Sequence, residues 1–277
     1  MRQRSLLCAT LVFACLPLAM AADAQTKATA PRLSAAEIVD KNVTARGGLT
    51  AWRAVKTLEL KGKLDAGGNE RAGMPVPDLS KGTMVLPKRP KEQAQLPFLM
   101  DLERGRKQRL EIQFKGQTAL QVYNGTQGWK LRPQLNRHQV ENFSIEELKT
   151  ASTWTDLDGL LIDYAAKGEK IALEGVEKVE GKNAYNLKVT DKNGYTRHVW
   201  IDDQSFLEVK VEGTPRSLDG KEHAVAVYMR DYRPVNGLMM PYVQETTVDG
   251  VRDSEKMVFD EIVLNPKLDE SRFAMPR

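Results

Sequence analysis

Along most of the chain, apolar residues alternate with polar ones at a period of two, in short runs broken by Asn-Gly and Asp-Gly dipeptides. That pattern predicts half-buried strands joined by tight turns. Strands are expected over Thr57–Leu64, Thr83–Leu86, Leu96–Glu103, Gln108–Phe114, Thr118–Tyr123 and Gly128–Leu131. A second series covers Lys170–Leu173, Val176–Glu180, Ala184–Thr190, Tyr195–Asp202, Leu207–Glu212, Ala224–Tyr232, Met240–Val248 and Lys256–Leu264. The turns fall at Asn124-Gly125, Asn193-Gly194, Asp219-Gly220, Asn236-Gly237 and Asp249-Gly250. Connections this short imply an antiparallel meander, since parallel strands need long crossovers. Asp65–Lys81, rich in Gly and Pro, reads as a long loop between the first two strands.

Two places carry the grammar of a helix start instead. In Leu33-Ser34-Ala35-Ala36-Glu37-Ile38, Ser34 is placed to cap, Glu37 to close a capping box, and Leu33 and Ile38 to form a hydrophobic staple; Gly47-Gly48 ends the helix. Phe143-Ser144-Ile145-Glu146-Glu147-Leu148 repeats the arrangement. From there helical spacing runs through Trp154, Leu157, Leu161 and Tyr164, with a break expected near Thr155 or Asp156 and a stop at Gly168.

The strand Tyr195–Asp202 poses a particular question, because alternation puts Arg197 in one stripe with Tyr195, Val199 and Ile201. A three-residue turn Lys192-Asn193-Gly194 sets Tyr185, Leu187 and Val189 on the same face. A further odd-length turn would add Leu207, Val209 and Val211, leaving Arg197 within an apolar wall. Two readings of it stay open: a ligand's polar end comes to it near a cavity mouth, or it pairs with an inward acid or with helix-end carbonyls. Across the Asn124-Gly125 hairpin, Trp129 is expected beside Val122 and Leu131 beside Leu120, and alternation adds Leu110, Ile112 and Phe114 to this inner wall.

The chain opens on two arginines, runs apolar from Leu6 to Ala22 and reaches the small-x-small site Ala22-Asp23-Ala24, the form of a cleavable signal peptide over residues 1–24. Pro17 and the short run argue against a membrane anchor. Both cysteines, Cys8 and Cys15, lie in that segment, so residues 25–277 are expected to form a single domain held by its core rather than by disulfides. The net charge of +4 points to no partner. The run Arg104-Gly105-Arg106-Lys107-Gln108-Arg109 reads as a solvated hairpin tip, and without interleaved aromatics it gives no sign of nucleic-acid binding.

Area arithmetic then raises the matter of a hollow. Strands ~20 Å long at ~4.8 Å spacing make a sheet face on the order of 1,000 Å² here, of which two helices ~20 and ~30 Å long cover about half. The remainder must curl up, be covered by loops, or stay open. A resemblance bears on the choice. Trp200-Ile201-Asp202-Asp203-Gln204-Ser205-Phe206-Leu207-Glu208-Val209-Lys210 resembles the strand-turn-strand of the LolA-like superfamily. Ala36-Glu37-Ile38-Val39 to Gly47-Gly48 with Trp52, and Asn265-Pro266-Lys267-Leu268 to Phe273, are similar to the opening helix and tail of exported outer-membrane lipoprotein-sorting proteins. The resemblance implies a mainly β fold, an open antiparallel half-barrel wrapped around helices, with a hydrophobic cavity for acyl chains or lipids. Its expected lining is Leu110, Ile112, Phe114, Leu120, Val122, Trp129 and Leu131 from one side, Trp154, Leu157 and Leu161 from the second helical block, and Tyr185, Leu187, Arg197, Val199, Ile201 and Val209 from the wall.

No chemistry competes strongly with binding. His138, His198 and His223 lack metal-ligand spacing. Asp156-Leu157-Asp158-Gly159 is like part of a calcium loop, but Lys167 stands where its closing glutamate belongs, and the acids read better as belonging to a helix start. A nucleophile elbow and a phosphate-cradling glycine loop are both missing. The expectation is a periplasmic, monomeric, non-enzymatic carrier or chaperone for a lipid or acylated lipoprotein, with no cofactor and with a membrane-associated transfer partner. Alternatives are a lipid-responsive regulatory module of the cell envelope, a hydrolase, and a structural envelope protein with a filled core. Met229, Met239 and Met240 suit adaptable apolar surfaces, though ordinary core filling is the commoner reason for such residues.

Overall fold

The computed structural model describes residues 33–67, 93–218 and 220–277. The expected signal segment 1–24, the strand Thr83–Leu86 and most of Asp65–Lys81 lie outside the described residues. Leu33 to Arg277 belong to one compact unit.

Helix α1 (Ala35–Ala45) begins on the capping box read above: Ser34 Oγ accepts from the Glu37 amide at 3.3 Å, and the Glu37 carboxylate accepts from the Ser34 amide at 2.8 Å. Gly47 and Gly48 follow at φ 109° and 92°, and a side chain on Gly47 would collide with the Gly237 carbonyl. Short helix α2 (Leu49–Ala54) buries Trp52. The chain then enters β1 (Thr57–Gly67), β2 (Gln93–Glu103), β3 (Lys107–Phe114), β4 (Gln117–Asn124), β5 (Gly128–Arg132) and β6 (Arg137–Asn142). Helix α3 (Ile145–Trp154), capped by Ser144 and Glu147, precedes β7 (Lys170–Val179), β8 (Lys182–Thr190), β9 (Thr196–Asp202) and β10 (Glu208–Glu212). A small hairpin, β11 (Arg216–Leu218) and β12 (Lys221–His223), leads to β13 (Val225–Val235), β14 (Leu238–Val248) and β15 (Glu255–Leu264).

Among the described residues thirteen strands form one antiparallel sheet, in the order β6-β5-β4-β3-β2-β1-β15-β14-β13-β10-β9-β8-β7. The edges β6 and β7 do not pair with each other, so the half-barrel is open. The order explains the helices' place. Strands one to six run outward from the centre to one edge, and the chain must then reach the opposite edge before it returns to pair β15 with β1. Helix α3 and residues 155–169 make that passage across the sheet, and a curled sheet wraps around them.

Two turns show how residue chemistry sets register. Val235 pairs with Leu238 across Asn236-Gly237, both at positive φ, the two-residue loop whose twist suits a hairpin. Between β8 and β9 the loop is the expected Lys192-Asn193-Gly194, with Gly194 at φ 84° and the Asp191 carboxylate accepting from the Asn193 and Tyr195 amides. Tyr185 therefore pairs with Ile201, Leu187 with Val199, and Val189 with Arg197.

Four expectations are corrected. First, residues 157–168 are a chain of turns rather than a second stretch of helix, because Gly159 and Asp163 adopt positive φ and interrupt the ladder. Second, Lys170–Leu173 and Val176–Glu180 are one strand bulged at Gly175. Third, β10 is bulged between Glu208 and Lys210, so Glu208 rather than Leu207 or Val209 joins the row of Ile201, and Val209 packs with Trp200 and Tyr228 on the other face. Fourth, Leu120, Val122, Trp129 and Leu131 share a face with Arg109 and Glu111, opposite to that of Leu110 and Ile112. The C-terminal 3-10 turn Glu270–Phe273 packs on that outer face: Arg272 bridges Asp101 and Glu111, and Lys107 lies over the buried Phe273 ring.

Candidate functional site

The inner face divides into two regions. On β8–β10 the row of Leu187, Val189, Val199, Ile201 and Val211 packs against Ile38 and Val39 of α1 and against Leu160 and Leu161. Its centre is solid. On the other side, Leu58 and Leu60 of β1 face Leu102 and Met100 of β2, which in turn sit beside Gln108 and Leu110 of β3. Phe98 and Phe259 meet edge to face at 5.8 Å. At Gly62 the β1–β15 register shifts, and a side chain there would run into the Val258 carbonyl, so glycine is required. From within, this region is covered by Trp52, Leu157 and Ile162, with Val43 and Leu49 beside them, and α3 lies over Gln108 at its side.

Helix α3 contributes no fully buried residue. Polar contacts hold it instead. Lys130 pairs with Glu147 at 2.6 Å, Arg106 donates to the Ser152 carbonyl at 2.6 Å, and Trp154 Nε1 donates to Thr214 Oγ1 at 2.8 Å. The basic run before β3 is thus bonded rather than simply solvated: Arg104 clasps Asp158 at 2.6 and 2.8 Å and also donates to the Trp52 and Val55 carbonyls. Asp156 pairs with Lys167 at 2.9 Å, so the two acids that are like part of a calcium loop are both engaged by cations.

Between α3, the turns after it and the sheet lies a cavity of about 330 Å³, with an adjoining space of about 290 Å³ under α3 that shares Gln108 and Trp154. Leu60, Met100, Val227, Met229, Met240 and Phe259 give the main cavity its apolar character. At one end Arg46 pairs with Glu208 at 3.1 Å, donates to the Asp158 carbonyl at 3.2 Å and stacks 4.2 Å over Trp52. Tyr232 donates its hydroxyl to the Glu208 carbonyl at 3.0 Å. Arg197, 8% exposed, also lines it; its guanidinium lies 5.5 Å from the Trp154 ring and donates to the Thr153 carbonyl at 3.4 Å. Burial pulls the Arg197 pKa down, with the field of Glu169 opposing. Burial pushes the Glu169 carboxyl up, and its Oε2 has no hydrogen-bond partner among the described residues.

Of the residues expected to line a cavity, this one gathers Trp154, Leu157 and Arg197. Leu110 and Ile112 flank it as half-buried members of the same cluster, and Phe114 continues their row at the end of β3 beneath Lys115. Leu161, Tyr185, Leu187, Val199 and Ile201 belong to the solid region, and Val209, Leu120, Val122, Trp129 and Leu131 to the outer face. Missed altogether were Leu58, Leu60, Met100 and Leu102. Their alternation within Thr57–Leu64 and Leu96–Glu103 was the available signal. His198 sits outside, between Glu212 and Glu174 and beside Trp200.

An open antiparallel sheet curled around one crossing helix and an apolar cavity can be compared with known structures. A LolA superfamily protein from Nitrosomonas europaea superposes at a TM-score of 0.51 and 12% identity, over 87% of this chain and 97% of its own. The fold is LolA-like. An outer-membrane lipoprotein-sorting protein domain from Vibrio parahaemolyticus matches the LolA-like half-barrel at a TM-score of 0.51 and 14% identity, covering 86% of this chain and 95% of its own. A DUF1329 family protein from Desulfovibrio piger matches at 0.50 and 12%, covering 86% and 96%. No protein-family model matches the sequence, and no curated protein matches it. Among the described residues no three His, Cys, Asp or Glu side chains are grouped to hold a metal ion, and no helix is long and apolar enough to cross a membrane.

Proposed function

We propose that the protein is a non-enzymatic carrier or chaperone that holds the acyl chains of a lipid or acylated lipoprotein in the hollow region of its half-barrel. It is read as acting in the periplasm after export on the segment 1–24, and as handing its cargo to a membrane-associated partner. The observation that carries the reading is the cavity itself: apolar side chains turned inward on β2, β3 and β13 remain half-buried where a packed core would close on them. The likeness to the lipoprotein-sorting protein domain from Vibrio parahaemolyticus is in keeping with such a cargo. Apart from Arg197, the charged groups near the cavity serve structural pairs, such as Arg46 with Glu208 and Arg104 with Asp158, and His198 faces the other side of the sheet, which favours binding over hydrolysis. Native mass spectrometry of the protein purified from its own envelope tests the proposal. Co-purifying acyl lipid is expected. Spectra that stay empty across gentle preparations would refute it.

A further inference from the structure

The cavity's charges do not cancel. Arg46 and Glu208 neutralise each other at 3.1 Å, and Asp156 is met by Lys167 at 2.9 Å. Arg197 is the remaining ionisable lining residue of formal charge, and among the described residues it makes no ion pair. Its five N–H donors have one acceptor, the Thr153 carbonyl, at the long distance of 3.4 Å. Glu169 acts on it through space without pairing. A guanidinium stays charged in a protein, and a charge placed 8% exposed against an apolar cavity is costly unless something completes it.

We infer that Arg197 anchors the head group of the ligand, and that this head carries anionic oxygens, a carboxylate or a phosphate, on the acyl chain. The assignment rests on the reading of the cavity as an acyl site. A planar guanidinium fork matches two oxygens of either head bidentately, which a neutral hydroxyl head cannot reproduce. Position supports it: Arg197 stands opposite Val189 in the row that runs on to Val199, next to the C-terminal turn of α3. Its stem therefore packs on the solid wall while the fork reaches the cavity. Of the remaining lining, Val211, Val227, Met229 and Met100 offer a chain apolar contact, while Gln108, Gln244 and Thr246 add neutral polar groups and no charge. A cationic head is disfavoured by the same uncompensated charge.

Dodecanoate, dodecyl phosphate and dodecan-1-ol carry one chain length on three heads, and titration calorimetry with the purified protein separates the chain from the head. At least one anion is expected to bind about tenfold or more tightly than the alcohol. Preference for dodecanoate identifies a fatty-acid source, and preference for dodecyl phosphate a phospholipid source. Arg197→Met, which keeps the stem, is expected to erase the preference while the alcohol affinity and the urea midpoint change little. Arg197→Lys keeps the charge without the fork and is expected to retain a preference of about two- to fivefold; it decides the matter should the Met variant not fold. Equal binding of all three probes by the parent overturns the assignment and leaves the acyl site standing. So does an equal loss for all three in Arg197→Met, or a Lys variant that binds anion and alcohol alike. Failure of every probe to bind overturns the acyl site together with its anchor.

Discussion

The two regions of the inner face are built from the same kind of strand yet end differently. Leu161, Leu187, Val199 and Ile201 have no exposed surface, whereas Met100, Leu102, Leu110, Val227 and Met229, turned inward on the same sheet, remain half-buried. The strands do not explain this. Against β8 and β9 lies the apolar stripe of α1 with Leu160 and Leu161, while the cluster on β1 and β2 is met by Trp52, Leu157 and Ile162, and β3 lies under α3, a helix whose sequence, Ile145-Glu-Glu-Leu-Lys-Thr-Ala-Ser-Thr-Trp154, has few apolar residues to offer. Filling is decided by what the crossing chain brings over the sheet, and a weakly apolar helix held by ion pairs leaves room.

The comparison breaks most sharply under a buried charge. Leu187→Asp puts a carboxylate into the solid region and is expected to cost about 4 kcal/mol or more, whereas Leu110→Asp, beside the cavity, is expected to cost roughly 1–2 kcal/mol because water reaches it. Trp200→Ala, on the opposite face with its indole N–H on Glu177, belongs between them. Urea denaturation ranks the three. Equal losses for Leu187→Asp and Leu110→Asp would mean that the hollow closes in solution.

Next in size is the ion pair where the two regions meet. Arg46 extends from the end of α1, which packs on the solid wall, to Glu208, which lines the cavity, and both side chains are about nine-tenths buried. Glu208→Gln strands the guanidinium, and a loss of about 3 kcal/mol is expected. A change under about 1 kcal/mol would show that water already serves Arg46.

Bulk sharpens the contrast from the other direction. Val199→Trp overpacks the solid wall and is expected to cost about 3 kcal/mol. Met229→Trp should fit within about 1 kcal/mol of the parent, since the added ring enters free volume. The same substitution is expected to weaken binding of an alkyl probe at least tenfold by occupying its space. A Met229→Trp variant that binds as before would move the ligand elsewhere.

How far the sequence reached follows the same division. Both capping boxes, the Gly194 turn and the pairing of Leu187 with Val199 are local facts, settled by residues within a few positions of each other, and all are present. The face of Leu120, Val122, Trp129 and Leu131 was not local. The turn Lys115-Gly116 joins two strands with an apolar residue on each face, and only Arg272 and Phe273, far along the chain, make the outer row a buried one. Val209 is itself the extra residue of a bulge, which puts Glu208 rather than Leu207 in the inner row while Val211 keeps its place on the wall. The hollow itself was legible as an area deficit, but its walls were not, because the deficit falls wherever the crossing segment is poor in apolar residues.

The smallest effect concerns Glu169, the buried acid beside Arg197. Burial holds its carboxyl above the ordinary 4.5, so the unfolded chain gives up this proton at lower pH than the native protein does. Below about pH 4.5 both states are protonated and nothing is lost. As pH rises from there through the higher native value, the unfolded state binds fewer protons, stability falls by the Glu169 share, and above that value the loss is constant. Glu169→Gln should remove that fall, leaving the variant equal to or more stable than the parent at pH 7 by under about 1 kcal/mol, with the gain absent at pH 4. Asp101, also raised by burial, slopes the same way, and the difference between variant and parent cancels it. Urea midpoints across pH 4 to 8 supply the measurement. The opposite sign, a variant weaker than the parent at neutral pH only, would mean that Glu169 is depressed by a contact with Arg197. The guanidinium would then have its counterion in the protein, and the anionic head would lose its reason to bind there.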